Sequence, residues 1–173
     1  MDYGAFKQTL DSGLELRRSA FDFADILLTH PTTTLGISIC EEDVEKIIQA
    51  VIRGLGDNNY DVKTLAQETI RRVCGESVMN GGRNVLKHGT EICEALLETM
   101  WKTVPATAVK HEIEQNDDCI KSAMKVVKAM EDVLEIESCA KFLEIKKEIY
   151  EDDILNKMWK ALFGGTSGLV VIS

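Results

Sequence analysis

The chain has 173 residues, of which 45% are hydrophobic, 6% aromatic and only two proline, a composition that favours helix over strand. Twenty Lys and Arg stand against twenty-nine Asp and Glu, and the resulting net charge of −9 repels nucleic acid and anionic lipid. No run reaches the roughly 18 apolar residues that a membrane span needs, so we expect a soluble all-α protein.

Helical spacing of apolar residues begins near the N-terminus and predicts a first helix over residues 14–30. Its inner face is predicted to carry Leu16, Ala20, Phe23, Ala24 and Leu27. Ser38, followed three residues later by Glu41, has the form of a capping box and predicts the start of a second helix. The apolar positions of that helix are Val44, Ile47, Ile48, Val51, Ile52 and Leu55.

Five further helices follow the same spacing. They are predicted over 61–74, from the glycines at 81–82 to about 103, within 107–135, and in two shorter segments near 142–149 and 154–162. The inner residues are predicted to be Val62, Leu65, Ala66, Thr69, Ile70 and Val73 in the third helix; Ile92, Ala95, Leu96 and Met100 in the fourth; Ile120, Ala123, Met124, Val127 and Leu134 in the fifth; Phe142, Ile145 and Ile149 in the sixth; and Ile154, Met158, Ala161 and Leu162 in the seventh.

The helices form a weak internal repeat. An acid, an apolar residue, a base and an alanine recur in matching places, with Ala20 and Ala66 46 residues apart and Ala66 and Ala123 57 apart. The first interval falls within the period of about 40 to 47 residues of HEAT and armadillo units. The sequence therefore predicts a HEAT/armadillo-like α-solenoid of about three stacked helix pairs over residues 14–163. We expect a short extended segment at 1–13 and a flexible tail at 164–173.

No catalytic or cofactor-binding motif is complete in this sequence. Asp57, Asn59, Asp61 and Glu68 have the spacing of a calcium loop, but Val62 stands where the sharp turn needs glycine. His111-Glu112 lacks the second histidine of a zinc protease motif. The five cysteines are scattered, which argues against disulfides and zinc and fits a reducing compartment. We expect no enzyme activity and no cofactor.

Three blocks of residues resemble the C-terminal domain of the cullin-associated, Nedd-dissociated proteins, also called TATA-binding-protein-interacting proteins. They are GAFKQTLDSGLELRRSAF at 4–21, NYDVK at 59–63, and VKHEIE at 109–114 with KSAMK at 121–125. The resemblance spans about residues 4–163. It implies a long HEAT solenoid that wraps an unmodified cullin, with its C-terminal repeats on the helical N-terminal part of the cullin. The family thereby competes with substrate-receptor modules, drives their exchange on cullin-RING ubiquitin ligases and withholds the cullin from its ubiquitin-like modifier.

In the family, the segment like residues 4–13 forms part of a β-hairpin, of which this chain holds the second strand. The resemblance implies a cullin as partner, and a cytoplasmic and nuclear location. We predict as partner-binding residues Phe6, Lys7, Thr9, Arg17, Arg18, Tyr60, Lys63, Lys110, Lys121 and Lys125. Lys121, Lys125 and Lys128 form one basic stripe, which is either a patch for an acidic strip of the partner or a solvated face. Phe6 is either an interface anchor or a core residue.

Two other functions stay open. The family's second name favours a transcription helper that contacts the TATA-binding protein, and a generic HEAT scaffold with another partner is the third reading. An open solenoid end also leaves room for a weak dimer beside the monomer.

Overall fold

The computed structural model describes residues 11–30, 39–75, 87–105, 107–133 and 140–164. These ranges contain seven helices and no strand, which confirms the all-α prediction. The helices are α1 (Leu14–Thr29), α2 (Glu41–Gly54), α3 (Tyr60–Gly75), α4 (Gly89–Trp101), α5 (Lys110–Glu131), α6 (Ala140–Glu151) and α7 (Asp153–Phe163). None of them is long and apolar enough to cross a membrane. The predicted strand at the N-terminus and the tail after Gly164 lie outside the described residues.

The helices stack in two layers. One layer holds α1, α3 and α5, which pack side by side, and the other holds α2, α4 and α6, with α7 packed on α5 and α6. Ion pairs from Arg18 to Asp61 (3.8 Å) and from Arg72 to Asp25 (2.7 Å) show that α1 and α3 run parallel. Parallel first helices with antiparallel second helices are the arrangement of a HEAT-like α-solenoid, as the repeat predicts.

A continuous apolar core runs from α2 to α7 between the layers. The predicted inner faces of α2 to α6 are confirmed at their central positions, which are fully buried: Ile48, Val51, Val62, Ala66, Ile70, Ile92, Leu96, Ala123, Met124, Val127, Phe142, Ile145 and Ile149. Leu134 lies outside the described residues. One cluster of buried residues has members in every helix from α2 to α7, so these helices share a single core.

The predicted inner face of α1 is wrong at three of its five positions. Leu16 is 76% exposed and Phe23 58% exposed, and Ala20 is exposed beside them. Ala24 packs on the core as predicted, and its companions there are Phe21 and Leu28. Periodicity finds both apolar sides of this helix, but the neighbours of a helix decide which side is buried.

The predicted inner face of α7 is also partly wrong. Ile154 is 70% exposed and Ala161 is exposed, whereas Leu155 and Trp159 are buried. Trp159 has the largest apolar surface of this helix, and Lys146 of α6 lies over its ring at 4.6 Å from the centroid. The same Lys146 pairs with Glu131 of α5 at 2.8 Å, so one partly buried cation connects α5, α6 and α7.

The predicted capping box at the start of α2 is wrong as well. Cys40, in extended conformation, is the N-cap, and its carbonyl accepts from the N–H groups of Asp43 and Val44. Glu41 is therefore the first helical residue and not the third, and Ser38 lies outside the described residues. The first turn carries three acidic residues at 41–43, and their negative charges interact favourably with the positive end of the helix dipole.

Candidate partner-binding surface

The N-terminal ends of α1 and α3 meet at one edge of the stack, because the two helices are parallel. Arg17 lies there between Asp11 (Nη2 to Oδ2, 2.6 Å) and Asp57 (Nε to Oδ2, 3.1 Å). Its hydrogen bond holds the pKa of the Asp11 carboxyl below the usual value. Arg18 lies 3.5 Å from Glu15 and 3.8 Å from Asp61. Both predicted binding arginines are thus already engaged with carboxylates of the chain itself.

The loop between α2 and α3 borders a polar cleft of about 430 Å³ beside Arg17. In this loop the Asp57 side chain accepts from the N–H of Asn59 (2.8 Å), and the Asn59 side chain accepts from the N–H of Asp61 (2.9 Å). Asn59 therefore caps the start of α3. The residues with calcium-loop spacing have structural partners here, and no group of metal-ligating side chains occurs within the described part of the chain.

A polar cluster lies where the start of α3 meets the end of α4 and the first half of α5. The Tyr60 hydroxyl donates to the side-chain oxygen of Asn116 (3.4 Å), and the Lys102 ammonium lies 4.5 Å from the centre of the Tyr60 ring. Lys63 is only 8% exposed in this cluster. No carboxylate of the described ranges forms an ion pair with Lys63 or Lys102. The cluster therefore offers two cations without acidic partners on a strongly acidic protein.

Buried groups extend this cluster inward. The Gln67 amide donates to the sulfur of Cys119 at 3.7 Å, and both side chains are inaccessible to solvent. Burial raises the pKa of the Cys119 thiol, so this cysteine stays neutral at ordinary pH despite the nearby Lys63. Cys119 is a buried packing residue, and its contact with Gln67 joins α3 to α5.

The predicted basic stripe lies on the outward side of α5. Lys121 pairs with Asp118 at 2.9 Å, and Lys128 pairs with Glu131 at 2.7 Å. Lys110, near the start of the helix, pairs with Glu114 at 3.5 Å. Lys125 is exposed and has no ion pair with any described residue. The stripe is therefore largely neutralised by its own helix, and Lys125 is the cation that it leaves available to a partner.

Sequence reasoning missed a group of exposed apolar side chains around the connection between α4 and α5. Trp101 is 52% exposed, and Val109 and Ile113 are also exposed. The Trp101 ring nitrogen donates to Glu148 of α6 at 3.3 Å, which orients the ring while leaving its surface open. Half-exposed tryptophans are enriched among residues that dominate protein interfaces. The signal available in the sequence was the position of Trp101 at the very end of a predicted helix.

The ten predicted binding residues thus form three groups, of which the structure describes two. Four of them lie at the edge where α1 and α3 begin: Arg17, Arg18, Tyr60 and Lys63. Three lie along α5: Lys110, Lys121 and Lys125. Phe6, Lys7 and Thr9 lie outside the described residues. Their roles in binding stay predictions.

Stacked helix pairs with a continuous core and a charged outer surface define an α-solenoid of the HEAT type, a class of protein that binds other macromolecules. The sequence matches the model of a protein family described as "TATA-binding protein interacting (TIP20)" over residues 1–160. The chain belongs to this family.

Similar proteins carry the names of cullin-associated proteins. The chain is 33% identical over 147 residues to "Cullin-associated NEDD8-dissociated protein 1" of Dictyostelium discoideum, which covers 85% of this chain and 11% of that protein. It is 27% identical over 179 residues to the protein of the same name in Drosophila melanogaster, covering 99% of this chain and 13% of that protein. It is 32% identical over 131 residues to "Cullin-associated NEDD8-dissociated protein 2" of Rattus norvegicus, covering 75% and 9%. The chain therefore spans about a tenth of the length of these relatives.

Proposed function

We propose that the chain is a protein-interaction module that binds the helical N-terminal part of an unmodified cullin. Through this binding it takes part in regulating the assembly and substrate-receptor exchange of cullin-RING ubiquitin ligases. The observation that carries the proposal is the family match over residues 1–160, together with relatives named for their association with cullins. Such a module acts by binding and not by catalysis, and it works where cullin ligases do, in the cytoplasm and the nucleus.

The surface of the solenoid supports this function. Lys102 and Lys125 are exposed cations that form no ion pair with a described carboxylate, so an acidic partner can pair with them without first breaking an internal ion pair. Trp101, which directly precedes Lys102 in the chain, adds a large and half-exposed apolar ring. An exposed aromatic side chain and surface cations without internal partners are features expected of an interface with an acidic protein.

The proposal is tested with the full chain and two candidate partners side by side. Association and dissociation rates are measured by interferometry against the N-terminal domain of an unmodified cullin and against the TATA-binding protein. We expect binding to the cullin. Trp101→Ala should raise the Kd for the cullin about tenfold or more, because half-exposed tryptophans at interfaces commonly contribute more than 1 kcal/mol. The variant should keep the melting temperature of the parent chain within a few degrees, since the ring packs only partly on α6.

Charge reversal separates the two readings of the basic stripe. Lys125→Glu, alone or with Lys121→Glu, should slow association with the cullin about threefold to tenfold at low salt and less at high salt. Arg53→Glu is the matched control, because Arg53 is an exposed cation of α2 in the other layer. An on-rate that is equal for the Lys125 and Arg53 variants would assign the stripe to a solvated face.

The family description favours a second candidate, contact with the TATA-binding protein. In the same measurement, binding to the TATA-binding protein without binding to the cullin would replace the cullin proposal with a role as a transcription helper. Binding to neither would leave a generic HEAT scaffold and refute the proposed function.

A further inference from the structure

One lysine of the polar cluster between α3, α4 and α5 is enclosed by the fold without a counter-ion. Lys63, in the first turn of α3, is only 8% exposed. Its ammonium has no hydrogen-bond acceptor and no ion-pair partner among the described residues, yet the nitrogen is not cut off from solvent. Proteins rarely bury a lysine unless it is paired, because an unpaired charge loses its hydration. The position of Lys63 therefore indicates an anionic partner that the described residues do not supply.

A second cation lies beside it. Lys102, just after α4, is exposed, and its ammonium lies 4.5 Å from the centre of the Tyr60 ring. Tyr60 and Lys63 are three residues apart on α3, so their side chains leave the same side of the helix. Asn116 of α5 is buried, and its side chain accepts from the Tyr60 hydroxyl at 3.4 Å and donates to the Lys102 carbonyl at 3.5 Å. We call these four residues the two-lysine site.

Both ammonium groups of the two-lysine site act on the same buried sulfur. Burial raises the pKa of the Cys119 thiol most strongly, and the positive charges of Lys63 and Lys102 act in the opposite direction. Because charge interactions weaken with distance, the two lysines lie near Cys119 and hence near each other. Like charges in one place repel, and the N-terminus of α3 adds the positive end of its dipole. A bound anion would offset both of these unfavourable contributions.

Acidic residues of the same two helices are already paired with other cations. Asp61 of α3 lies 3.8 Å from Arg18, and Asp118 of α5 pairs with Lys121 at 2.9 Å. The chain has a net charge of −9, yet no carboxylate of the described ranges forms an ion pair with either lysine of the two-lysine site. The negative charge that the site calls for is therefore left to be supplied from outside the described part of the chain.

We propose that the two-lysine site receives one carboxylate, from an aspartate or glutamate side chain of the partner protein. This inference rests on the proposed function and names the chemistry recognised at one point of that interface. A carboxylate has two oxygens, so it can pair with both ammonium groups at once. The carboxylate belongs to a protein, because the half-exposed Trp101 directly precedes Lys102 and offers apolar surface that a large partner covers. The net charge of −9 opposes the alternative of a nucleic-acid phosphate.

The free chain tests whether the site takes a carboxylate at all. Lys63→Met keeps most of the buried stem and removes the charge, so its Tm should equal or exceed that of wild type. Tm is then compared in sodium malonate, a small dicarboxylate, and in sodium chloride at equal ionic strength. Malonate should raise the Tm of wild type by about 2 °C more than that of Lys63→Met. Lys46→Met, which removes an exposed lysine of α2, is the matched control and should respond as wild type does. Equal responses of wild type and Lys63→Met would overturn the proposal. So would a Tm of Lys63→Met several degrees below wild type, because the ammonium would then have an internal partner.

Binding to the cullin N-terminal domain tests whether a protein supplies the carboxylate. Lys63→Met should raise the Kd about tenfold or more, and Lys102→Met about threefold to tenfold, since Lys102 is the more exposed of the two. Lys102→Arg keeps the charge and should bind within about twofold of wild type, as should Lys46→Met. A Kd unchanged by both Lys63→Met and Lys102→Met would overturn the proposal, whatever malonate does. Wild type that binds no cullin would refute the proposed function, and the malonate comparison would still decide separately whether the site takes a carboxylate.

Discussion

Gly54 is the position where adding a single carbon atom should disturb the packing of the first two helix pairs. It is buried near the end of α2, and a Cβ there would lie 2.2 Å from Cζ and 2.5 Å from Cε1 of the Phe21 ring, and 3.1 Å from the Cβ of Ala66. Carbon atoms in contact need about 3.5 Å. Gly54→Ala therefore requires the Phe21 ring to move by about 1 Å or more.

The size of the effect follows from two opposing contributions. Overpacking of a tight site costs about 2 kcal/mol. Alanine at a helical position contributes about 0.5 kcal/mol more stability than glycine. The net expectation is a loss of about 1.5 kcal/mol in the free energy of unfolding. For a chain of this size that corresponds to a fall in Tm of about 3–6 °C.

A double-mutant cycle with Phe21→Ala isolates the cause. Phe21→Ala removes the clashing ring and destabilises the chain by itself, because this ring packs on the core. In that background Gly54→Ala should be neutral or stabilising by up to about 0.5 kcal/mol, so that the sign of its effect reverses. Urea unfolding followed by circular dichroism measures all four free energies. Equal effects of Gly54→Ala in both backgrounds would refute the steric reasoning.

Two further predictions concern titratable groups. Glu68 accepts hydrogen bonds from Arg71 (2.8 and 2.6 Å) and from Arg72 (3.1 Å), which hold the pKa of its carboxyl below the usual value. A lowered pKa in the folded state contributes stability above the unfolded value that is lost as the pH falls through the folded value. Between about pH 5 and pH 3, Glu68→Gln should therefore lose less stability than wild type, as measured by urea unfolding. An identical loss in both proteins would contradict the lowered pKa of Glu68. Burial raises the pKa of the Cys74 thiol to about 12, whereas Cys40 is exposed. A thiol reagent at neutral pH should modify Cys40 rapidly and Cys74 only in denaturant, as read by peptide mass spectrometry; rapid labelling of Cys74 in the native chain would show that α3 opens locally.

Local periodicity was enough to find the helices. The spacing of apolar residues places α1 and α3 within one residue of their observed ends, and α5 lies inside the predicted range 107–135, because a helix is built from contacts between residues three and four apart. The repeat of Ala66 and Ala123 likewise marks the buried contact between successive pairs. The sequence also identifies the cationic residues of the candidate surface, but their role in binding stays a prediction.

Which side of each helix is buried, and which charges remain available, needed the tertiary structure. The stripe of Leu16 and Phe23 has the same pattern as its buried counterparts in α3 and α5, yet α1 has no neighbour on that side among the described helices. Lys121 and Lys125 look alike in sequence, but Asp118 reaches only Lys121. Lys102 joins Tyr60 only because the end of α4 lies beside the start of α3. The sequence by itself determined the helices and their order, since those depend on neighbours along the chain. The fold decided exposure and pairing, because both depend on residues tens of positions away.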